Sequence, residues 1–340
     1  MIYRSRAPFR IGLAGGGTDV SPYSDLYGGA VLNATISLYA HCTIELIQEP
    51  FIIFNSRDQN KEIQLEINKE LEINGELDLQ KGIYNSLLKR NVLHNQGLKL
   101  TTSMDVPAGS GLGTSSTLVV AILKAFSEYL NLPFGDYDLA HYAYEIERVD
   151  LKWAGGKQDQ YATTFGGVNF MEFYEADQVI VNPLRIRREY LHELEHNILL
   201  YFTSSSRKSS EIIKKQQQNV EEKNKESIEA MHQLKEQSKR MKDALLRGKM
   251  NLIGEILDFG FEQKRKMADN ISNNHLDEIY EIAKKAGATG GKISGAGGGG
   301  FMFFYCPGIS RYSVIEQLKQ MGGYFMNYQF TKDGVQSWKF

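Results

Sequence analysis

The chain has 340 residues, 42% hydrophobic and 24% charged, the composition of an ordinary globular protein. Its formal net charge is −2, so it lacks the strongly basic balance of nucleic-acid-binding domains. The two cysteines are far apart in sequence, which argues against a disulfide framework and favours a reducing compartment. The sequence shows no signal peptide and no run of about 18 apolar residues, so we expect a cytoplasmic protein with no membrane partner.

In chain order, the first half is predicted to form one α+β lobe. Alternating β-branched residues indicate strands, and apolar residues with a period of 3.6 indicate helices. The predicted elements are strands at 31–47, within 51–73, at 98–106 and at 167–173, and helices from 115 and over 136–150. Thr114 or Ser115 is the predicted N-cap of the first helix.

The second half is predicted to be a more polar and more helical α+β lobe. Residues 207–268 are rich in Lys, Glu and Gln, and their apolar positions are too irregular for heptads, so we predict two or three packed surface helices. The other predicted elements are strands at 179–186, 196–203, 301–306 and 324–331, and helices at 272–286 and 310–321. We expect domains at 1–180 and 181–340.

The stretch "VPAGSGLGTSST", residues 106–117, places three glycines and three hydroxyl side chains directly before a predicted helix. Such a loop exposes unpaired amides and the positive end of the helix dipole, a combination that binds phosphate. No lysine follows the glycines, which excludes a Walker P-loop, but a hydroxyl here could ligate a metal. The alternative is an ordinary N-capped helix after a flexible loop.

The string "PAGSGLGTSST" resembles the P-x-x-x-G-L-G-S-S-[AS] loop of the GHMP kinases. The resemblance implies a two-lobe α+β fold, with a ribosomal-S5-like N-terminal lobe and a ferredoxin-like C-terminal lobe, and a kinase that uses ATP and Mg²⁺. It also implies that the loop cradles the ATP phosphates and that Ser115 helps to hold Mg²⁺. The matching residues are Pro107, Gly109, Ser110, Gly111, Leu112, Gly113, Thr114, Ser115 and Ser116.

The segment "RAPFRIGLAGGGTD", residues 6–19, resembles a second motif of the same family, with Phe9 in place of the usual glycine. Arg10 stands at the family's Lys/Arg position, where it could meet the γ-phosphate or charge that develops during transfer, although a surface ion pair is the alternative. The candidate substrate contacts are Gly16, Gly17, Thr18 and Asp19. Asp19 would accept hydrogen bonds from sugar hydroxyls, unless it only caps its own turn.

A third motif, "KISGAGGGGFMFF" at 292–304, resembles the family's K-x-[ST]-G-A-G-x-G-G. Its letters also satisfy the dinucleotide fingerprint G-x-G-x-x-G. A strand-like run follows where that fingerprint requires a helix, so NAD binding is excluded. We expect Gly295, Ala296 and Gly297 to lie at the phosphate or substrate site between the lobes.

Two acidic residues in 144–170 match the family's catalytic positions. Glu147, on a helix, matches the Mg²⁺ ligand, with Glu145 as the rival, and an exposed helix acid is the alternative. Mg²⁺ takes hard oxygen ligands and keeps several waters, so one carboxylate, one hydroxyl and the phosphates suffice. Asp159, after Gly155–Gly156, matches a general base that takes the proton of the substrate hydroxyl, although a helix cap is the alternative.

Within the family, the sequence looks closest to the bacterial D-glycero-D-manno-heptose 7-phosphate kinases. That implies ATP-dependent phosphorylation of the anomeric hydroxyl to give the 1,7-bisphosphate, a step toward nucleotide-activated heptose for surface polysaccharides. An acceptor that already carries a phosphate needs a second anion site, for which Arg207 and Lys208 are the candidates, a solvated helix start being the alternative. A fucokinase-like monosaccharide 1-kinase and a catalytically silent sugar-binding regulator stay open, as does a homodimer.

Overall fold

The computed structural model describes residues 1–204 and 209–340. Within these ranges the strands form one eight-stranded and one four-stranded sheet, with helices packed on both. Strand burial follows the sequence pattern: in the segment "FIIFNS" buried and half-buried residues alternate, as successive side chains of a strand require. No helix of the described ranges is both long and apolar enough to cross a bilayer.

Helices and strands are interspersed along the chain. The strands are β1 (Ile2–Ala14), β2 (Gly29–Ile47), β3 (Phe51–Ser56), β4 (Lys61–Glu66), β5 (Gly97–Met104), β6 (Val168–Phe173), β7 (Val179–Pro183), β8 (Ile198–Phe202), β9 (Gly290–Ile293), β10 (Phe301–Tyr305), β11 (Tyr324–Met326) and β12 (Gln336–Lys339). The α-helices are α1 (Tyr23–Tyr27), α2 (Asp78–Lys89), α3 (Thr114–Leu130), α4 (Asp136–Glu145), α5 (Gln158–Phe165), α6 (Arg188–Asn197), α7 (Ser209–Glu221), α8 (Lys225–Leu246), α9 (Ile253–Arg265), α10 (Asn274–Lys285) and α11 (Ser310–Leu318). A π-helical turn, Ile146–Asp150, continues α4, and 3₁₀ turns lie at Met250–Leu252 and Lys319–Met321.

The large sheet has the strand order β12-β1-β2-β5-β3-β4, with β6 paired to β2 and β7 to β6. β1 and β2 are antiparallel, and their register shifts between Pro8 and Arg10 and again between Gly12 and Ala14. Bulges of this kind re-aim side chains, and proline cannot donate to the ladder. The irregular part of β1 thus carries Arg10 and leads into the loop 15–19.

Helix α3 is the central helix of the first lobe. Its residues 119–123 are fully buried, because it packs on β1 and β2 and against α4 and α5. The predicted N-cap is wrong. Gly113, with φ of +79°, occupies that position without a side-chain cap bond, since the hydroxyl of Ser115 donates to Glu147 and that of Thr114 accepts from the Gly109 amide.

The small sheet has the order β11-β8-β10-β9 and packs against the polar helices of the second half. Three helices, α7 to α9, occupy the segment where two or three were predicted. Their description as surface helices is only partly right, since Leu234, Met241 and Phe261 are buried. The strand predicted at 324–331 is shorter, and α2, α6 and β12 were not predicted.

The large sheet also contains strands from beyond the expected domain boundary. β7 lies across 180/181 and pairs with β6, and β12 pairs antiparallel with β1. Before β12, the chain passes tightly over the end of α5: a Cβ on Gly166 would lie 2.2 Å from the Gly334 amide nitrogen. A boundary between 180 and 181 therefore falls inside β7, and it separates β12 from the sheet to which it belongs.

We expect Gly166→Ala to lower the free energy of unfolding by about 2–4 kcal/mol. Gly166 has φ of +67°, which costs a side chain about 1 kcal/mol, and the added methyl would push against the 333–334 backbone. Gly308→Ala is the matched control, with φ of +62° and no atom within 4 Å of the new Cβ, so it should cost about 1 kcal/mol. Urea unfolding measures both, and equal losses would contradict the close approach.

Candidate active site

A cavity of about 500 Å³ lies where β1, α3, α5, α7, α9 and the 294–300 loop meet. It brings together most of the predicted site residues from distant parts of the chain. Those lining it are Arg10, Gly16, Gly17, Asp19, Gly109, Gly111, Gly113, Thr114, Ser115, Ser116, Glu147, Asp159, Gly295 and Ala296. The structure therefore gathers the three sequence motifs and both catalytic candidates around one space.

Five predicted residues do not line this cavity: Pro107, Ser110, Leu112, Thr18 and Gly297. The Thr18 hydroxyl instead donates to the carbonyls of Gly15 and Ala30, at 2.8 and 3.0 Å, so it holds the loop 15–19 in shape. Ser110 and Leu112 are fully buried within the loop 109–113. Arg207 and Lys208, the predicted second anion site, lie outside the described residues.

The loop 109–113 is held by its carbonyl groups. The Gly111 carbonyl accepts from Arg10 Nη1 at 2.7 Å and from the Ser294 hydroxyl at 2.9 Å. The Ser110 carbonyl accepts from the Phe301 amide at 2.8 Å.

The backbone amides from Gly111 into the first turn of α3 differ from these carbonyls, although the Gly109 and Ser110 amides are bound by Thr114 and Pro107. Within the part of the chain that the structure describes, the backbone amides of residues 111–116 donate to no protein acceptor. Free amides at the start of a long helix form an anion-binding site, because they coincide with the positive end of the helix dipole. The loop thus has the polarity that a phosphate chain needs.

Arg10 and Asp159 form a buried bidentate ion pair beside this loop. Arg10 Nε and Nη2 donate to the two carboxylate oxygens of Asp159 at 2.6 and 2.8 Å, and the Arg10 side chain is 4% exposed. The surface ion pair considered for Arg10 is therefore wrong. Three of the five guanidinium N–H groups are used by Asp159 and Gly111, which leaves two for another acceptor. Asp159, in the first turn of α5, caps nothing.

Glu147 and Ser115 present two oxygen atoms to one point of the cavity. The Ser115 hydroxyl donates to Glu147 Oε1 at 2.6 Å, and Gln160 Nε2 donates to Oε2 at 2.5 Å. Glu147 is fully buried, so the exposed helix acid is wrong. The rival, Glu145, is 41% exposed and pairs with Arg90 away from the cavity.

These oxygen atoms fit a magnesium ion that is completed by phosphate oxygens and water. Mg²⁺ prefers hard oxygen ligands and is commonly held by one or two protein groups plus substrate phosphates. The described residues contain no group of three or more His, Cys, Asp or Glu side chains that would bind a metal without a substrate. Gln160, which also bonds Ser116 at 3.1 Å, fixes the carboxylate of Glu147 from behind.

Asp19 lines the same cavity, next to the first turn of α5. Its carboxylate accepts from the amides of Gly17 and Gln158, each at 3.1 Å, and from Gln158 Nε2 at 3.2 Å. Burial raises the pKa of Asp19, and the negative charge of Asp159 raises it further. The turn-capping alternative is thus partly right, but the side chain also faces the cavity.

Two buried lysines of the cavity wall were missed by the sequence analysis. Lys264 lies in the last turn of α9 and Lys292 lies in β9, and each residue is 3% exposed. Burial lowers the pKa of Lys264 to about 8, with Asp19 opposing and Arg10 adding to that shift. Burial, Lys264 and Arg10 together hold the pKa of Lys292 well below its usual range. Lys292 is the first letter of the third motif, so that motif could have pointed to it.

Comparison with known proteins places the chain in a family. Residues 78–167 match the GHMP kinases N terminal domain, and residues 241–323 match the GHMP kinases C terminal domain. These matches include the phosphate loop, both catalytic candidates and the third motif.

Individual relatives cover nearly the whole chain. The D-glycero-alpha-D-manno-heptose 7-phosphate kinase of Campylobacter jejuni is 47% identical, over 99% of this chain and 98% of its own. A crystal structure of a D-glycero-D-manno-heptose 1-phosphate kinase from Bacteroides thetaiotaomicron is 45% identical over 99% of both chains, with a TM-score of 0.84. The galactokinase of Lactococcus lactis, at 20% identity and a TM-score of 0.77, shares the fold. The predicted two-lobe fold and phosphotransferase of the sugar-kinase type are confirmed, and the chain belongs to the GHMP kinase family.

Proposed function

We propose that this enzyme transfers the γ-phosphoryl group of ATP to the anomeric hydroxyl of D-glycero-D-manno-heptose 7-phosphate in the cytoplasm. The product, the 1,7-bisphosphate, would feed nucleotide-activated heptose for surface polysaccharides. The observation that carries the proposal is that the Asp159–Arg10 pair lines the same cavity as the free amides of 111–116 and the loop with Asp19. ATP, the phosphoryl donor, and the sugar, the phosphoryl acceptor, would thus both lie near the carboxylate of Asp159.

The two similar heptose kinases agree on the sugar but not on the phosphate position. The Campylobacter jejuni protein is named for a 7-phosphate acceptor, and the Bacteroides thetaiotaomicron structure is named a 1-phosphate kinase. We favour the 7-phosphate acceptor, because transfer to the anomeric hydroxyl requires that hydroxyl to be free, and in a 1-phosphate it is already esterified.

In the proposed reaction, Asp159 accepts the proton of the acceptor hydroxyl as the phosphoryl group leaves ATP. A carboxylate has about four lone-pair positions, and Arg10 uses two, so Asp159 keeps acceptor capacity. Arg10 fixes the orientation of that carboxylate and directs its remaining N–H groups to the transferred phosphoryl oxygens. The amides of 111–116 hold the phosphate chain, and Asp19 orients the sugar through its hydroxyls.

Ser115 and Glu147 would hold Mg²⁺ against the phosphates. The ion would neutralise charge on the phosphate oxygens when it is bound. Gln160 keeps the Glu147 carboxylate turned toward Ser115 through the 2.5 Å hydrogen bond to Oε2.

The proposed acceptor is tested with a coupled assay of ADP formation on a panel of sugars. We expect turnover with heptose 7-phosphate and at least about tenfold lower kcat/KM with free heptose and fucose, because charge-assisted contacts to phosphate are worth that much. Heptose 1-phosphate should not turn over, because its anomeric hydroxyl is already esterified, and turnover of it would contradict the proposed acceptor. Preference for fucose would identify a fucokinase-like enzyme. Binding of sugar and ATP without turnover would identify a silent regulator.

Asp159→Asn should lower kcat by at least about 100-fold, the scale of general base catalysis. The amide keeps the size of the side chain but cannot take the proton. Thermal unfolding of the variant separates this loss from misfolding caused by an unpaired Arg10. A folded variant with a near-normal rate would show that Asp159 only positions the acceptor.

Glu147→Gln should raise the Mg²⁺ concentration for half-maximal activity by at least about tenfold, because even groups behind a metal ligand change affinity by that factor. Glu145→Gln is the matched control, two residues away on the exposed side of the same helical segment, and should leave the Mg²⁺ titration unchanged. If both variants titrate like the wild type, Glu147 does not hold the ion.

A further inference from the structure

Lys264 and Lys292 reach the same part of the cavity from different elements. Lys264 is in the last turn of α9 and Lys292 is in β9. A Cβ atom on Gly16 would lie 3.9 Å from Lys292 Nζ and 4.0 Å from Lys264 Nζ. The two ammonium groups therefore face the loop 15–19, the proposed acceptor side of the cavity.

The ammonium groups of Lys264 and Lys292 have no anionic partner within the described residues, and Lys292 Nζ lies 6.0 Å from the centroid of the Phe303 ring. Among the described residues, no hydrogen bond or ion pair reaches the Nζ atom of Lys264 or Lys292, and the nearest interacting acid, Asp19, is engaged by Gly17 and Gln158. Burying an uncompensated charge is costly, so buried lysines are normally paired. Lys157 shows this normal case in the same protein, since it is 2% exposed and binds Asp25 at 2.9 Å and Asp177 at 2.8 Å.

Burial and the neighbouring positive charges lower the pKa of both amines, so an anion from outside the protein that keeps them protonated is the partner that this pair lacks. Arg10 adds a third positive charge nearby, since it acts on both lysines. A phosphate dianion has three acceptor oxygens and enough charge to offset two ammonium groups, whereas sugar hydroxyls would leave the charges uncompensated. The position opposite Gly16, rather than at the amides of 111–116, favours a phosphate on the acceptor over the phosphates of ATP.

We propose that Lys264 and Lys292 together bind the phosphate group that the acceptor sugar already carries, an inference that rests on the proposed function. This site lies on the described part of the chain, whereas Arg207 and Lys208, the anion site expected from sequence, lie outside it. It makes the two lysines the residues that select phosphorylated over free sugar.

The kinetic test uses Lys264→Met and Lys292→Met, which keep side-chain length and remove the charge. Each should raise KM for heptose 7-phosphate by about 10- to 100-fold, the loss of one charge-assisted contact, and leave KM for ATP within about threefold of the wild type. Lys266→Met is the matched control, exposed two residues further along, and should change neither constant. A rise in KM for ATP with an unchanged KM for the sugar phosphate would overturn the proposal.

A binding test separates this proposal from the proposed reaction. With Mg²⁺ and a non-hydrolysable ATP analogue bound, so that the loop amides are occupied, inorganic phosphate should raise the Tm of the wild type and of Lys266→Met. It should not raise the Tm of either cavity variant. If the wild type does not phosphorylate heptose 7-phosphate but shows this lysine-dependent shift, the reaction fails and the site stands. An equal shift in all proteins would overturn the site.

Discussion

The active site depends on which backbone groups of the loop 109–113 are already bound. Arg10, Ser294 and the Phe301 amide bind its carbonyls, while the amides of residues 111–113 bind no acceptor among the described residues. These partners come from the first strand and from either end of the third motif. The loop is therefore fixed by both lobes at once, and a phosphate chain meets donors whose orientation is set before it arrives.

The charges around the cavity are unevenly balanced. Asp159 is paired with Arg10, whereas Glu147 accepts from Ser115 and Gln160 and lies 3.7 Å from Arg148 Nη1. Lys264 and Lys292 also line the cavity, and neither forms an ion pair with a described residue. An ATP–Mg²⁺ complex and a sugar phosphate would each bring charge opposite to that of the groups it meets, and such attraction is stronger in a partly buried site than in water.

The parts of the site that could be predicted from the sequence are those whose residues lie in short contiguous motifs. The glycines and hydroxyls of 109–116, Arg10 and Asp159 stand in motifs whose chemistry is local, and the structure brings them together. Lys264 could not be found, since it stands beside Arg265 and Lys266 and only packing near Gly16 buries it. The N-cap prediction failed for the same reason, because Glu147 captures the Ser115 hydroxyl from 32 residues away. β12 is four residues long, and its pairing with β1 across the whole chain leaves no local pattern.

The pairing of β12 with β1 also bears on the order of events at the ribosome. Residues 3–6 pair with residues 336–339, which are synthesised after the entire small sheet and its helices. Until then an edge of the large sheet stays open, with unpaired backbone groups that invite pairing with other chains. The small lobe is thus synthesised in full before the last strand of the large sheet. We therefore expect nascent chains of this enzyme to depend on chaperones more than those of a protein whose two lobes are each continuous in sequence.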